Sequence, residues 1–439
     1  MEQNKKYGLF TAITMIIGIV IGSGIFFKAD DVLVYTNGNV ILGIFIFCVA
    51  AIAIIFGSLS IAQLATRTDK PGGVISYAEE FVNKEMASAF GWFQTFLYLP
   101  SLVAVVSWVG GLYIVQLFNI QEGILNAYTI GVLLMLSIYF INILSAKIGG
   151  YFQNIAMIIK LIPLVLFAIL GFVKGNPQQI LMADVEVVKS TGISLGIMAA
   201  FAPIAFSFDG WIISTSIAHE IKNSKRNLPI ALIVSPILVL LIYVLYFIGI
   251  SVFVGPQRVL ELGNDSISEM ANILFGPIGA KVILVFVVIS VLGTLNGIII
   301  GSIRMPYSLA IRNMTPFSQH LKKENEKFNS LPLNSALFSL VIGLVWYVIH
   351  YFSNTTKGVD VSEISICVSY LNYCVLYGVI IKLTKKGEIK NKIMGYFIPV
   401  MAILGSLIIL AGSFSNPLFI YYIIICLVIM LVGYWYYKK

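Results

Sequence analysis

Apolar residues gather into long runs along this chain, and polar residues are confined to short punctuating segments. Runs of about 18 or more mostly apolar residues fall at 7–33, 39–65, 86–117, 124–145, 149–173, 191–219, 229–254, 270–302, 333–353, 361–383, 394–412 and 417–437. That pattern predicts twelve membrane-crossing helices. A backbone inside a bilayer must satisfy its own hydrogen bonds, so spanning segments are expected to be helical. The period-2 alternation of a membrane barrel is absent from the sequence. The predicted class is an all-α membrane protein.

Composition sharpens this reading. Of 439 residues, 59% are hydrophobic and 11% charged, with a mean hydropathy of +0.95. Soluble domains carry roughly 25% charged residues. This chain lacks the polar shell of a cytosolic enzyme, the cysteine density of a secreted scaffold and the polarity of a disordered chain. The net charge of +8 does not point to nucleic acid, because the basic residues sit in short loops between apolar runs. With the N-terminus inside, the cytoplasmic segments hold 21 Lys and Arg and the outer segments six, Lys28 among them. The excess places both termini in the cytoplasm and requires an even number of spans. Cys48, Cys367, Cys374 and Cys426 all lie within apolar runs and are expected as free, buried thiols. No small-residue cleavage site follows a short apolar core after MEQNKK, so the first span is expected to remain in the mature chain.

Two spans are interrupted. The first contains Gly18 and then Ile21-Gly22-Ser23-Gly24-Ile25-Phe26; the sixth contains Ala202-Pro203 and then Ser207-Phe208-Asp209-Gly210-Trp211. Glycine weakens a helix interior by roughly 1 kcal/mol, proline removes a hydrogen bond, and Asp-Gly favours a turn. Either segment alone could serve only close packing or a kink. Together they stand at corresponding places in two five-helix halves, and paired interruptions point to a transporter site. Freed amides would attract a carboxylate and freed carbonyls an ammonium, which suits a zwitterionic amino acid.

Further motifs extend the pattern: Gln63-Leu64-Ala65-Thr66, Pro71-Gly72-Gly73 with Tyr77, Glu220, Arg226-Asn227-Leu228-Pro229 and Gly293-Thr294-Leu295-Asn296-Gly297. With the two interruptions, they resemble the amino acid–polyamine–organocation superfamily, within it the L-amino acid transporter family, and among its bacterial members the alanine-serine-cysteine exchangers. The resemblance implies the LeuT fold: an inverted repeat of five plus five helices (1–174 and 175–384) followed by two more (385–439). It further implies a substrate carboxylate on the amides around Gly22, Ser23 and Gly24. The ammonium would meet the carbonyls of Val20, Phe206 and Asp209, with Phe206 as gate and Tyr243 beside the substrate. Segment 119–122 has no cysteine, so no disulfide-linked ancillary subunit is expected.

Lys160 sits near the middle of the fifth span, where a charge costs roughly 2.5–3.5 kcal/mol on insertion scales and is too deep to snorkel easily. In the family it stands in the place of a sodium ion, with partners expected at Gly18 and the Thr294 hydroxyl, which implies sodium-independent transport. A buried lysine also sheds its proton more readily, so proton-coupled symport through Lys160 stays open. Asp209 could cap the second half of helix six or bind a cationic substrate, which keeps a cationic amino acid or polyamine exchanger open. Tyr77 and Trp211 are read as structural. Asp30 and Asp31 are read as solvated, Glu220 with Arg226 as a gate or a surface pair, and 322–327 as a loop meeting lipid headgroups. The three histidines show no metal spacing, and no nucleophile–base motif of an intramembrane enzyme is found. The expected protein is a plasma-membrane exchanger of small neutral L-amino acids such as alanine, serine and cysteine, with no cofactor, no metal and no nucleic-acid partner.

Overall fold

The structure is a computed structural model, described for residues 8–22, 24–68, 73–121, 123–144, 158–180, 195–212, 221–324 and 332–438. It is helical, with no β-strand among the described residues. The first span is two pieces, α1 (Leu9–Val20) and α2 (Gly24–Tyr35). The chain continues as α3 (Val40–Ala65), a short α4 (Val74–Phe81), and α5 (Lys84–Phe93), which runs through one π-helical turn into α6 (Leu99–Phe118). Then come α7 (Ala127–Leu144), α8 (Leu161–Lys174), α9 (Phe201–Ser207) and α10 (Ser224–Val254). The last are α11 (Pro256–Leu262), α12 (Ser266–Ile311), α13 (Leu333–Lys357), α14 (Val361–Lys385), α15 (Ile398–Gly412) and α16 (Phe419–Lys438).

Local chemistry sets several boundaries. Asn39 caps α3, its side-chain oxygen accepting from the Leu42 amide at 2.7 Å. Asn119 ends α6 in the left-handed region (φ 50°, ψ 45°), a conformation asparagine tolerates. Helix α12 starts earlier than its apolar run and turns at Gly276 (φ 70°, ψ 179°), just before Pro277. Nine helices among the described residues are long and apolar enough to cross a membrane. The other three sequence runs, at 7–33, 149–173 and 191–219, contain shorter helical pieces or extend outside the described residues. All four cysteines are free.

The chain forms two compact units, each built from both halves of the sequence. One comprises Met1–Asn83, Leu164–Met270 and Ile366–Phe419. In it α3 packs against α10 and α15, α1 against α10, and α2 against α9. Helices α8 and α10 meet backbone to backbone at Gly171 and Gly249, where any larger residue would strike the opposite main chain. The other unit comprises Lys84–Pro163, Ala271–Ser365 and Ile420–Lys439. There α6 packs on α7 and α13. Buried polar ties hold it: Asn142 Nδ2 donates to Asn296 Oδ1 at 2.7 Å, the Trp346 indole to the Phe96 carbonyl at 2.7 Å, and the Tyr347 hydroxyl to the Tyr128 carbonyl at 2.7 Å. In hydrocarbon such groups need internal partners.

Candidate substrate site

The two interruptions predicted from the sequence are real breaks, and they touch. Helix α1 stops where Ile21 turns extended (φ −68°, ψ 96°), its amide still donating to the Ile17 carbonyl at 2.8 Å. Helix α2 restarts at Gly24, so its first amides have no acceptor within the helix. Helix α9 ends after Ser207. The Phe208 amide bonds the Ile204 carbonyl at 3.0 Å and the Asp209 amide the Phe206 carbonyl at 3.1 Å, and Gly210 (φ 94°) turns the chain away.

Gly24 is where the broken ends meet. A Cβ there would stand 2.8 Å from the Ser207 Cα and 2.9 Å from the Phe206 ring, so only glycine permits the approach. Tyr243, fully buried on α10, joins both breaks through one hydroxyl. Its oxygen lies 3.2 Å from the Val20 carbonyl and 2.9 Å from the Ser207 carbonyl, and its single proton serves the two. The Tyr243 ring stands 5.1 Å from that of Phe208, edge to face. Each carbonyl keeps a lone pair, so Val20 can still accept from a ligand.

The remaining sequence-predicted residues fall as follows. Phe206 is buried over Gly24, and Asp209 is half-buried just beyond the break. Ser23 lies outside the described residues, as do Glu220 and the rest of the sixth span from 213 onward, which Asp209 was expected to cap. Gly22 is buried in the bend between α1 and α2. Trp211 and Tyr77 are buried, and the Trp211 ring packs 5.5 Å from that of Tyr373. In the other unit Lys160 is only 2% exposed, immediately before α8, and the Thr294 hydroxyl donates to the Ser290 carbonyl at 3.1 Å.

One residue outside the predicted site adjoins it, and one expectation is corrected. Lys28, counted with the outer segments, is 5% exposed on α2; its ammonium lies 5.7 Å from the centre of the Phe206 ring and 3.2 Å from Asp31 Oδ2. Asp30, read as solvated, has Oδ1 enclosed, because α2 continues for 12 residues, about three turns, past the break and packs against neighbouring elements. Asp31 keeps 38% side-chain exposure. The sequence signal for Lys28 was its spacing: four residues after Gly24, it shares the helix face that meets α9. No cluster of three or more His, Cys, Asp or Glu able to hold a metal occurs among the described residues.

Comparison with known proteins identifies the family. A family model described as amino acid permease matches residues 7–432. The serine/threonine exchanger SteT of Bacillus subtilis (strain 168) is 30% identical over 413 residues, covering 93% of this chain and 91% of that protein. The b(0,+)-type amino acid transporter 1 of Mus musculus is 25% identical over 445 residues, covering 98% and 86% respectively. The cystine/glutamate transporter of Homo sapiens is 26% identical over 317 residues, covering 70% and 61%.

Proposed function

The chain belongs to the amino acid permease family, and from that premise we propose that it is a sodium-independent exchanger of small neutral L-amino acids working by alternating access. It is a multi-pass membrane protein and an amino acid transporter, not an enzyme. The finer reading adds the substrate class, the coupling and the place: the plasma membrane, with both termini in the cytoplasm. It also adds the LeuT-type repeat of 1–174 and 175–384 with 385–439 appended, supported by compact units that each draw on both halves. Carriers with inverted repeats place their substrate between broken helices.

One observation carries the proposal: the breaks at Val20–Gly24 and after Ser207 lie against each other, tied by the Tyr243 hydroxyl. A zwitterion fits this arrangement. The amides of Gly22 and of Gly24 at the start of α2, with Ser23 as the expected third donor, take the carboxylate, where the helix dipole favours negative charge. The carbonyls of Val20, Phe206 and Asp209 take the ammonium. Phe206, pressed on Gly24, closes over the ligand and leaves room for a small side chain. Lys160 supplies a fixed buried cation, which removes the need for sodium; Thr294 stands as its expected partner. SteT, by its name a serine/threonine exchanger, supports exchange of small amino acids here. No disulfide-linked subunit is part of the reading, since 119–122 offers no cysteine.

The test is counterflow in proteoliposomes of the full chain. Labelled alanine or serine should enter vesicles loaded with either amino acid, enter empty vesicles poorly, and do so equally with and without sodium. Uptake that requires a sodium gradient would overturn the coupling, and accumulation in empty vesicles driven by an inward proton gradient would replace exchange by symport through Lys160. The half-buried Asp209 beside the break supports a second substrate reading, a cationic amino acid or polyamine, which competition by arginine or agmatine decides.

A further inference from the structure

Helix α2 carries three ionisable side chains in four residues, and packing sorts them into different environments. Lys28 is bonded to Asp31 and lies over Phe206. Asp30 has an enclosed Oδ1 with no hydrogen-bond partner among the described residues. Two more enclosed oxygens without a partner lie on the elements packed around it: the Tyr246 hydroxyl on α10 and Asn264 Oδ1 in the turn between α11 and α12. These elements converge on Asp30. A Cβ on Gly263 would stand 3.3 Å from Asp30 Oδ2, and Tyr246 lies within electrostatic range of Asp30, its ring 5.9 Å from that of Phe26, one turn before it on α2.

The titratable neighbours are few. They are Lys28 and Asp31 on α2 itself, Tyr246 and Tyr243 on α10, Asp265 in the turn, Arg258 and Glu261 on α11, and Glu269 at the start of α12. Helix α9 carries none and α3 only Cys48. Arg258 is bonded to Glu261 at 3.0 Å and approaches Glu269 at 4.0 Å. An ionised Asp30 would therefore hold a largely enclosed charge beside Asp31, with the Lys28 ammonium as the cation nearest both and bonded to Asp31. The backbone amides of Asp30 and Asp31 approach the carboxyl, yet its Oδ1, like the Tyr246 hydroxyl oxygen and Asn264 Oδ1, is enclosed without a hydrogen bond of its own. One added proton removes the charge and supplies a donor, which is the smaller cost in an enclosed site.

We propose that Asp30 is a proton-binding site of the carrier. It is occupied while Gly24–Tyr35 is packed against α10 and the 263–265 turn, and vacated when that half-helix moves away and water reaches the carboxyl. The proton passes between the Asp30 carboxylate and water, and no other bond changes. Protonation and packing of the half-helix then favour each other by linkage. Acid on that side should hold the packed state and slow the cycle.

The test uses the full chain in liposomes, with wild type against Asp30→Asn, from about pH 5 to about pH 8. Infrared difference spectra should show a carboxylic-acid C=O stretch in the wild type that weakens as pH rises and is missing from the variant. Wild-type counterflow should slow at least about threefold as external pH falls across this range, while Asp30→Asn stays flat near the slow, acid rate. A missing difference band, or a variant profile that overlays the wild type, overturns the proposal. The transport arm rests on the exchanger reading. If neither protein exchanges any small neutral amino acid, that reading fails, and the infrared arm alone decides the proton site.

Discussion

At the scale of single residues, Gly24, Tyr243 and Lys160 each carry a measurable consequence. Gly24→Ala places a methyl 2.8 Å from the Ser207 backbone, which cannot rotate aside as a side chain would. Overpacking of this kind costs about 1–3 kcal/mol, so counterflow should fall at least about fivefold, and near-wild-type exchange would show that the two breaks do not meet in the working protein. Tyr243→Phe keeps the buried ring and removes the hydroxyl from the Val20 and Ser207 carbonyls. With a hydrogen bond worth about 0.5–1.5 kcal/mol, the apparent KM for alanine should rise roughly two- to tenfold while expression stays normal. A change in expression alone would reduce Tyr243 to a packing residue. Lys160→Ala removes a buried cation whose charge no neutral residue replaces. Exchange should drop to the background of empty liposomes, and wild-type rates would take the residue out of the mechanism. Which of these residues could be read in advance follows a physical rule. Glycine, proline and Asp-Gly act on their own backbone, so both breaks were legible without a fold. Asp30 was misread and Lys28 went unnoticed because a charged residue near a span end is ordinarily solvated, and only packing against α9, α10 and the 263–265 turn encloses them.

At the scale of elements, apolar run length predicted helices well wherever the helix is continuous. Val40–Ala65, Ser224–Val254 and Leu333–Lys357 each overlap the run that announced them. Boundaries moved where turn chemistry intervened: α12 starts before its apolar run and bends at Gly276, because glycine accepts the positive φ and Pro277 resists helix continuation there. Crossings between helices could not be read this way. Gly171 and Gly249 are unremarkable in their own spans, yet each presents its backbone to the other. Gly249→Val should destabilise the unit that contains them by about 1–3 kcal/mol, seen as a lower midpoint of thermal aggregation in detergent. An unchanged midpoint would mean that the crossing has slack. In the other unit, the Asn142–Asn296 hydrogen bond lies between residues 154 apart in sequence, a separation over which hydropathy carries no information.

At the scale of the whole molecule, function depends on an assembly of weak, oriented groups more than on any one reactive side chain. In the proposed site, peptide dipoles at two breaks take both ends of an amino acid, while side chains choose among substrates. The exchanger reading therefore makes a substrate-level prediction. Excess unlabelled serine or alanine should abolish counterflow of labelled alanine, whereas arginine at the same concentration should leave at least about half of it, since a tenfold weaker ligand differs by only about 1.4 kcal/mol. Equal competition by arginine would make Asp209 a substrate-facing carboxylate and move the protein to the cationic class.

Membrane residence, helical class, the approximate spans and the two breaks were determined by the sequence alone, because each follows from local forces: hydrocarbon solvation of consecutive side chains and the backbone preferences of glycine, proline and Asp-Gly. Tertiary structure alone decided that the breaks face each other across Gly24, that Tyr243 joins them, and that Lys28 lies over Phe206 while Asp30 is enclosed beside Tyr246 and the 263–265 turn. Those facts depend on which helices become neighbours, and neighbours distant in sequence are chosen by packing of the whole chain, which no single stretch of it encodes.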